Sequence, residues 1–158
     1  MRYSFGKLIS KIAAKDEKIH LLVGDIGYRV FDDFRLKYPK RFINLGICEQ
    51  SLISVASGMA LEGLKPWVYT ITPFLIERPF EQIKLDINQQ KANVKLVGFA
   101  DYPTLGPSHQ ELDAKKLMSL FKNIKSYYPN SIKQTEVAIL NCYKKIGPTF
   151  ISLKSIKL

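Results

Sequence analysis

The residue with the clearest potential for chemistry is Glu49, an acidic side chain at a predicted strand-to-helix junction. It belongs to the run Asn44-Leu45-Gly46-Ile47-Cys48-Glu49-Gln50, where most neighbours are small or apolar. An acidic residue in the first turn of a helix complements the positive end of the helix dipole, and on spacing alone we favour that structural role. A functional carboxylate is the alternative that the spacing leaves open.

Polar groups also occur in two predicted loops. One loop is Gly24-Asp25-Ile26-Gly27, in which an aspartate after a glycine is equally typical of an ordinary turn or cap. The other is Gly106-Pro107-Ser108-His109-Gln110, which precedes a predicted helix. A neutral imidazole can donate a hydrogen bond or move a proton near neutral pH. Taken alone, however, His109 is typical of a loop at a helix start.

Short apolar or β-branched runs alternate with amphipathic segments along the chain. The predicted strands are Ile19–Gly24, Arg41–Leu45, Trp67–Ile71, Val94–Phe99, Ile124–Tyr127 and Thr149–Leu153. The predicted helices are Ser4–Ala14, Tyr28–Tyr38, Cys48–Gly63, Leu75–Gln89, Gln110–Leu120 and Gln134–Lys144. This alternation predicts an α/β fold with a doubly wound, mostly parallel sheet and helices on both faces. Ligands of such sheets bind beyond the carboxyl ends of the strands, so the loops there are where chemistry is expected.

Length and composition narrow the class of protein. The 158 residues correspond to about one ordinary domain, and we predict a single domain over residues 1–158. No apolar run approaches the roughly 20 residues of a membrane-spanning helix, so no membrane association is expected. The formal net charge of +10 comes mainly from lysines scattered along the predicted helices, without an arginine cluster or interleaved stacking aromatics. This pattern does not favour nucleic-acid binding, and attraction to anionic small molecules explains the charge more simply.

The N-terminal segment and the cysteines bear on location. Apolar residues recur at helical spacing near the N-terminus, which favours a structural first helix over a targeting peptide. The helix predicted over Cys48–Gly63 is rich in small residues, which suits either a tightly packed core helix or a subunit interface. Cys48 and Cys142 match no metal or redox spacing, and a reducing cytoplasm is the expected location.

Several segments together resemble one known family, the transketolases. The stretch from Pro39 to Asn88 is similar to the pyrimidine-binding domain of short, split transketolases, through the runs Pro-Lys-Arg-Phe-Ile-Asn-Leu-Gly-Ile-Cys-Glu-Gln, Ala-Ser-Gly-Met-Ala-Leu-Glu-Gly and Phe-Glu-Gln-Ile-Lys-Leu-Asp-Ile-Asn. The run Gly106–Gln110 resembles the family's Gly-Pro-Thr-His segment, and Gly24–Gly27 resembles its loop after the first strand. The resemblance covers nearly the whole chain in the family's order, and it implies thiamine diphosphate as the cofactor.

The resemblance implies cofactor-binding roles for several residues. In the family, the carboxyl matching Glu49 hydrogen-bonds a pyrimidine nitrogen of thiamine diphosphate and favours the tautomer that deprotonates the thiazolium carbon. Phe74 matches the aromatic residue that stacks on the pyrimidine, with a core aromatic at a strand end as the alternative. Asp25 and Ile26 match the loop near the thiazolium side, and Ile71 is also expected to contact the cofactor.

Substrate-binding residues carry over less completely. His109 matches a histidine that faces the substrate, which implies a catalytic role. Ser155 falls where the family carries a phosphate-binding arginine, so the adjacent Lys154 is a lesser candidate for substrate binding, because an ammonium is not a bidentate clamp. The loop Ala100–Gly106 is shorter than the family's, and Leu105 replaces an acceptor-reading aspartate. The usual sugar-phosphate acceptor is therefore not implied.

The family binds the cofactor's diphosphate through Mg²⁺ on a second domain with a Gly-Asp-Gly segment, and nothing in this sequence matches it or a C-terminal transketolase domain. The resemblance therefore implies a partner chain that binds Mg²⁺, joined with this one in a heterotetramer. The expected function is transfer of a two-carbon ketol unit between sugars or sugar phosphates by a transketolase-like subunit. The alternatives are a subunit of a thiamine diphosphate enzyme that decarboxylates a 2-oxo acid, and a non-catalytic regulatory relic.

Overall fold

The computed structural model describes residues 1–99 and 105–154 as a parallel β-sheet between two layers of helices. The strands are β1 Ile19–Val23, β2 Phe42–Asn44, β3 Lys65–Ile71, β4 Lys95–Phe99, β5 Lys125–Tyr127 and β6 Thr149–Leu153. The helices are α1 Arg2–Ala13, α2 Asp32–Lys37, α3 Glu49–Leu61, α4 Thr72–Ile76, α5 Phe80–Gln82, α6 Ala114–Ser119 and α7 Ile132–Lys144. A π-helix at Ile83–Gln89 continues α5, and 3-10 turns lie at Pro39–Arg41 and Pro107–His109. The predicted α/β, doubly wound fold is confirmed.

The six strands are ordered β2-β1-β3-β4-β6-β5, and every neighbouring pair runs parallel. The chain passes from β1 to the outer strand β2 and then returns to the other side of β1 to form β3. The loops after β1 and β3 therefore lead away from each other. Such a reversal in strand order opens a crevice at the carboxyl ends of the two strands.

Each face of the sheet has its own apolar core, because successive side chains of a strand point to opposite faces. Leu21 and Val23 of β1 pack with Tyr69 of β3 against α1, α2 and α7. Leu22 and Val68, from the same two strands, pack on the other face against the layer formed by α3 to α6. Coverage on both faces explains why the central strands are apolar throughout rather than alternating.

Two of the helical segments differ from the sequence prediction in a way that has a local cause. The helix expected over Leu75–Gln89 is divided into α4 and α5 by a turn that ends at Pro79, which has no backbone N–H to continue the helical ladder. The helix expected over Tyr28–Tyr38 begins only at Asp32, because Gly27 and Arg29 adopt positive φ angles of 98° and 62°. In the described part of the chain, no helix is long and apolar enough to cross a membrane.

Helix α4 lies unusually close to the sheet. A methyl group built on Gly98 of β4 would stand 2.7 Å from Oγ1 of Thr72 and 3.2 Å from its Cα. Only glycine leaves room for this approach. Since α4 begins at Thr72, the contact at Gly98 fixes where the rest of that helix stands.

Candidate functional site

A cavity of about 220 Å³ lies at the carboxyl ends of β1 and β3, where the strand order reverses. It is lined by Gly24, Asp25, Ile26, Ile47, Thr70, Ile71, Phe74, Leu105 and His109. The sheet thus brings together five residues predicted for the site: Asp25, Ile26, Ile71, Phe74 and His109. A larger cavity of about 360 Å³ lies between β5 and α7 and includes none of the predicted residues, so position in the fold is a better guide than volume.

The loop after β1 is held in place by Asn44 at the end of β2. The side-chain Oδ1 of Asn44 accepts hydrogen bonds from the backbone N–H of Asp25 and of Gly46, each at 3.0 Å. Its Nδ2 donates to Oδ1 of Asp25 at 3.1 Å. Asp25 has a φ of 52°, a conformation that non-glycine residues adopt mainly when local hydrogen bonds support it. Asn44 therefore fixes the loop, a role that sequence reasoning missed.

Glu49 is the first residue of α3 and is 2% exposed. Its Oε2 accepts a hydrogen bond from a guanidinium nitrogen of Arg78 at 3.1 Å. Its other oxygen, Oε1, is buried and has no hydrogen-bond partner. A buried acceptor without a donor costs about 1–3 kcal/mol, so this oxygen is suited to a donor that a ligand supplies. Glu49 does not line the cavity itself and stands beside it, connected through Arg78.

Phe74 lies on α4 between a cation and an imidazole. The guanidinium carbon of Arg78 is 3.3 Å from the Phe74 ring centroid, and the His109 ring meets Phe74 at an angle of 63° with 4.9 Å between centroids. A continuous series of contacts thus joins Glu49, Arg78, Phe74 and His109. Sequence reasoning missed Arg78, which lies in the turn between α4 and α5 and not within a helix.

His109 ends the 3-10 turn that follows Gly106, whose φ is 105°. Its Nδ1 lies 3.1 Å from Oγ of Ser108. Further along, the backbone N–H of Leu112 donates to Oε1 of Glu77 at 2.9 Å, which ties this segment to the turn after α4. The imidazole therefore faces the cavity on a tethered segment.

Lys154 is not brought into this group. It is exposed after the end of β6, a strand that β4 separates from β3, and it is not among the lining residues. Ser155 and most of the loop from Ala100 lie outside the described residues, whereas Leu105 is described and lines the cavity. Within residues 1–99 and 105–154, no group of three or more His, Cys, Asp or Glu side chains could hold a metal ion.

The arrangement suits a planar heterocycle with a polar edge. Ile26, Ile47 and Ile71 give the cavity an apolar wall, and Phe74 supplies an aromatic ring. The free Oε1 of Glu49 could accept a hydrogen bond from a ring N–H. The chemistry of the residues present therefore fits the pyrimidine part of thiamine diphosphate.

The fold defines the chain as an α/β domain of the doubly wound class, with a cavity at the reversal of strand order. The family model described as transketolase, pyrimidine binding domain, matches residues 1–158, and the chain belongs to this family.

Among curated proteins, the chain is 36% identical over 128 residues to a subunit of the apulose-4-phosphate transketolase of Actinobacillus succinogenes, covering 79% of this chain and 41% of that protein. It is 32% identical over 141 residues to 1-deoxy-D-xylulose-5-phosphate synthase of Clostridium perfringens, covering 86% of this chain and 22% of that protein. Among solved structures, one described as a split gene transketolase in an inactive beta4 tetramer superposes with a TM-score of 0.87 at 30% identity, covering 97% of this chain and 50% of that one. The chain spans less than half the length of these curated relatives.

Proposed function

We propose that the chain is a subunit of a transketolase-like enzyme that transfers a two-carbon ketol unit between sugars. Membership of the pyrimidine-binding family implies dependence on thiamine diphosphate. The observation that carries the proposal is the buried, unpartnered Oε1 of Glu49, whose other oxygen is joined through Arg78 to the Phe74 ring. A carboxylate oxygen without a donor and an aromatic face are the features that an aminopyrimidine ring requires.

Each side chain then has a distinct task. Thiamine diphosphate supplies a nucleophilic carbon when it is bound. Glu49 would accept a hydrogen bond from a ring nitrogen and hold a proton there, and Phe74 would bind the ring by stacking. The apolar side chains of Ile26 and Ile71 would exclude water, and Asp25 would shape the loop beside them. His109, whose ring faces the cavity, would donate to a substrate oxygen.

A partner chain is part of the proposal. The described residues contain no metal-binding cluster, and the family resemblance assigns Mg²⁺ and the diphosphate to a second domain. One similar protein is named as a subunit of a transketolase and another as a split gene transketolase, and both names support a partner chain here. We propose that two copies of each chain form a heterotetramer with the cofactor between them, and that this chain contributes one pyrimidine-binding domain over residues 1–158. The free thiols of Cys48 and Cys142 agree with the reducing cytoplasm as the proposed location.

The test is Glu49→Gln in the chain assembled with its partner. Glutamine keeps the size of the side chain but cannot hold the proton, so we expect turnover of ketose substrates to fall by orders of magnitude while assembly and circular dichroism stay unchanged. Glu62→Gln, at the exposed end of α3, is the matched control and should leave turnover unchanged. Turnover of the Glu49 variant within a few-fold of the unmodified enzyme would favour the non-catalytic, regulatory role.

A second titration tests the division of the site between two chains. We expect no measurable binding of thiamine diphosphate and Mg²⁺ to this chain alone, and tight binding once the partner is added. Tight binding by the isolated chain would contradict the shared site.

A second candidate function has support from the comparisons. The alternative is a subunit of a thiamine diphosphate enzyme that decarboxylates a 2-oxo acid, and the similarity to proteins named 1-deoxy-D-xylulose-5-phosphate synthase favours considering a reaction other than ketol transfer. Assays that offer the assembled enzyme either pyruvate or a ketose phosphate, and measure which is consumed, separate the two reactions.

A further inference from the structure

Arg78 contacts two residues of the candidate site. Its guanidinium donates to Oε2 of Glu49 at 3.1 Å and stacks on Phe74 at 3.3 Å from the ring centroid. The two partners come from different elements, since Glu49 begins α3 and Phe74 belongs to α4. The Arg78 side chain is itself only 34% exposed. A single planar group therefore connects the carboxylate and the aromatic ring of the candidate site.

We propose that Arg78 is a positioning residue, which holds Glu49 and Phe74 in the relation that the cofactor's ring requires. The expected effect on cofactor binding rests on the proposed function, whereas the contacts of Arg78 lie within this chain. By engaging only Oε2, Arg78 turns Glu49 so that Oε1 stays free for a ligand donor. Through its stacked contact it also limits the rotation of Phe74.

The choice of arginine has a physical reason. A guanidinium is planar, permanently charged and able to donate from its edge while its face stacks on an aromatic ring. A lysine ammonium at the same place could reach the carboxylate but could not stack as a plane. A glutamine could donate one hydrogen bond but would leave a buried carboxylate without a positive charge nearby. Comparison of the unmodified chain with Arg78→Lys and Arg78→Gln therefore distinguishes the ion pair with Glu49 from the stacking on Phe74.

His109 offers a direct readout of the Phe74 ring. The two rings are 4.9 Å apart at 63°, so the ring current of Phe74 displaces the nuclear magnetic resonance signals of the His109 ring protons. The sequence contains two histidines, and the other, His20, lies on β1 and serves as an internal reference. The isolated chain is sufficient for this measurement.

In the chain as it exists, we expect the His109 ring signals to be displaced from those of a free histidine. Arg78→Gln should move them at least halfway back, Arg78→Lys should give an intermediate position, and His20 should not change. Arg35→Gln, at an exposed arginine of α2, is the matched control and should leave both histidines unchanged. Unaltered His109 signals in Arg78→Gln would overturn the positioning role.

Two further measurements keep the test decisive. Because Arg78→Gln leaves Glu49 unpaired and could unfold the chain, the double variant Glu49→Gln with Arg78→Gln removes the charge, and its His109 signals should shift in the same way. In the complex with the partner, Arg78→Gln should weaken thiamine diphosphate binding at least tenfold, with partial rescue by Arg78→Lys. If Arg78→Gln changes the His109 signals but leaves the affinity for thiamine diphosphate unchanged, the positioning role is overturned. If no partner confers cofactor binding on the unmodified chain, the proposed function is overturned instead.

Discussion

The side chain of Glu77 accepts a hydrogen bond from the backbone N–H of Leu112 at 2.9 Å. Glu77 immediately precedes Arg78, so the short turn after α4 acts in two directions. Through Arg78 it contacts Glu49 and Phe74, and through Glu77 it holds the segment that carries His109. The turn therefore connects residues that are distant in sequence. Loss of its contacts should alter the site although neither Glu77 nor Arg78 lines the cavity.

We expect Glu77→Ala to free the segment around Leu112. Removal of the acceptor should lower the opening free energy of this backbone amide by about 1 kcal/mol, which corresponds to roughly fivefold faster hydrogen exchange. Glu77→Gln keeps an acceptor oxygen at the same position and should restore slow exchange. Equal exchange rates for Leu112 in the alanine variant and the unmodified chain would show that the hydrogen bond does not restrain the segment.

The close approach at Gly98 gives a prediction about stability and about the site. An alanine there would place its methyl group 2.7 Å from Oγ1 of Thr72, so α4 must move away from the sheet. We expect Gly98→Ala to lower the free energy of unfolding by about 1–3 kcal/mol in urea. Because Phe74 lies two residues further along α4, the same variant should also alter the His109 ring signals.

The control for this prediction is Gly58→Ala. A methyl group on Gly58 would meet nothing within 4 Å, and the residue lies inside α3. Alanine is the better helix former, so this variant should raise the free energy of unfolding by about 0.5–1 kcal/mol. A loss of stability in both variants would mean that crowding against Thr72 is not the cause.

The sequence predicts those site residues whose positions follow from the pattern of strands. Asp25 and Glu49 follow strands, and the carboxyl ends of parallel strands share one edge of the sheet, so pattern alone brings their loops together. Arg78 was missed because the segment from Leu75 to Gln89 was predicted as one helix, whereas the structure interrupts it before Pro79. The ion pair with Glu49 depends on that interruption, which no periodic pattern records.

The fold itself was predictable for a related reason. Strand identity depends on local apolar runs, which the central strands carry because both faces of the sheet are covered. Helix boundaries were less accurate, since Gly27 and Arg29 delay α2 through positive φ angles that apolar periodicity does not record. The resemblance predicted Lys154 near the substrate. In the structure Lys154 follows β6, which β4 separates from β3 in the sheet.

The two cysteines should differ sharply in reactivity. Cys142 is fully buried in α7, and burial raises the pKa of its thiol to about 11. Only the thiolate is a strong nucleophile, so Cys142 should not react with iodoacetamide in the folded chain at pH 8. Cys48, at the start of α3, is partly exposed and should be labelled. The variant Cys48→Ser should therefore remain unlabelled until urea unfolds it, and labelling of the folded variant would contradict the burial of Cys142.

Lys95 gives a prediction about pH. It is 2% exposed at the start of β4, and its Nζ donates to Oδ1 of Asn93 at 2.8 Å and to the backbone oxygens of Lys145 and Gly147 at 2.7 Å each. Burial lowers its pKa to about 8, and the nearby charges of Lys145 and Lys65 act in the same direction, while Cys142 opposes them. In the unfolded chain a lysine has a pKa of about 10.4.

The sign of the effect on stability follows from these two values. Between pH 8 and about 10.4 the folded chain releases the Lys95 proton while the unfolded chain still holds it, so the contribution of Lys95 to stability rises with pH. From pH 7 to pH 9 it should add about 1 kcal/mol to the free energy of unfolding relative to Lys95→Met, measured in urea. Comparison with the variant is necessary because Cys142, whose pKa is raised, lowers stability as the pH rises through the pKa of the unfolded thiol. A direct titration of the Lys95 Cε signal, assigned with the same variant, should give a midpoint near 8, and a midpoint above 10 would show that the three oxygen acceptors hold the ammonium against its burial.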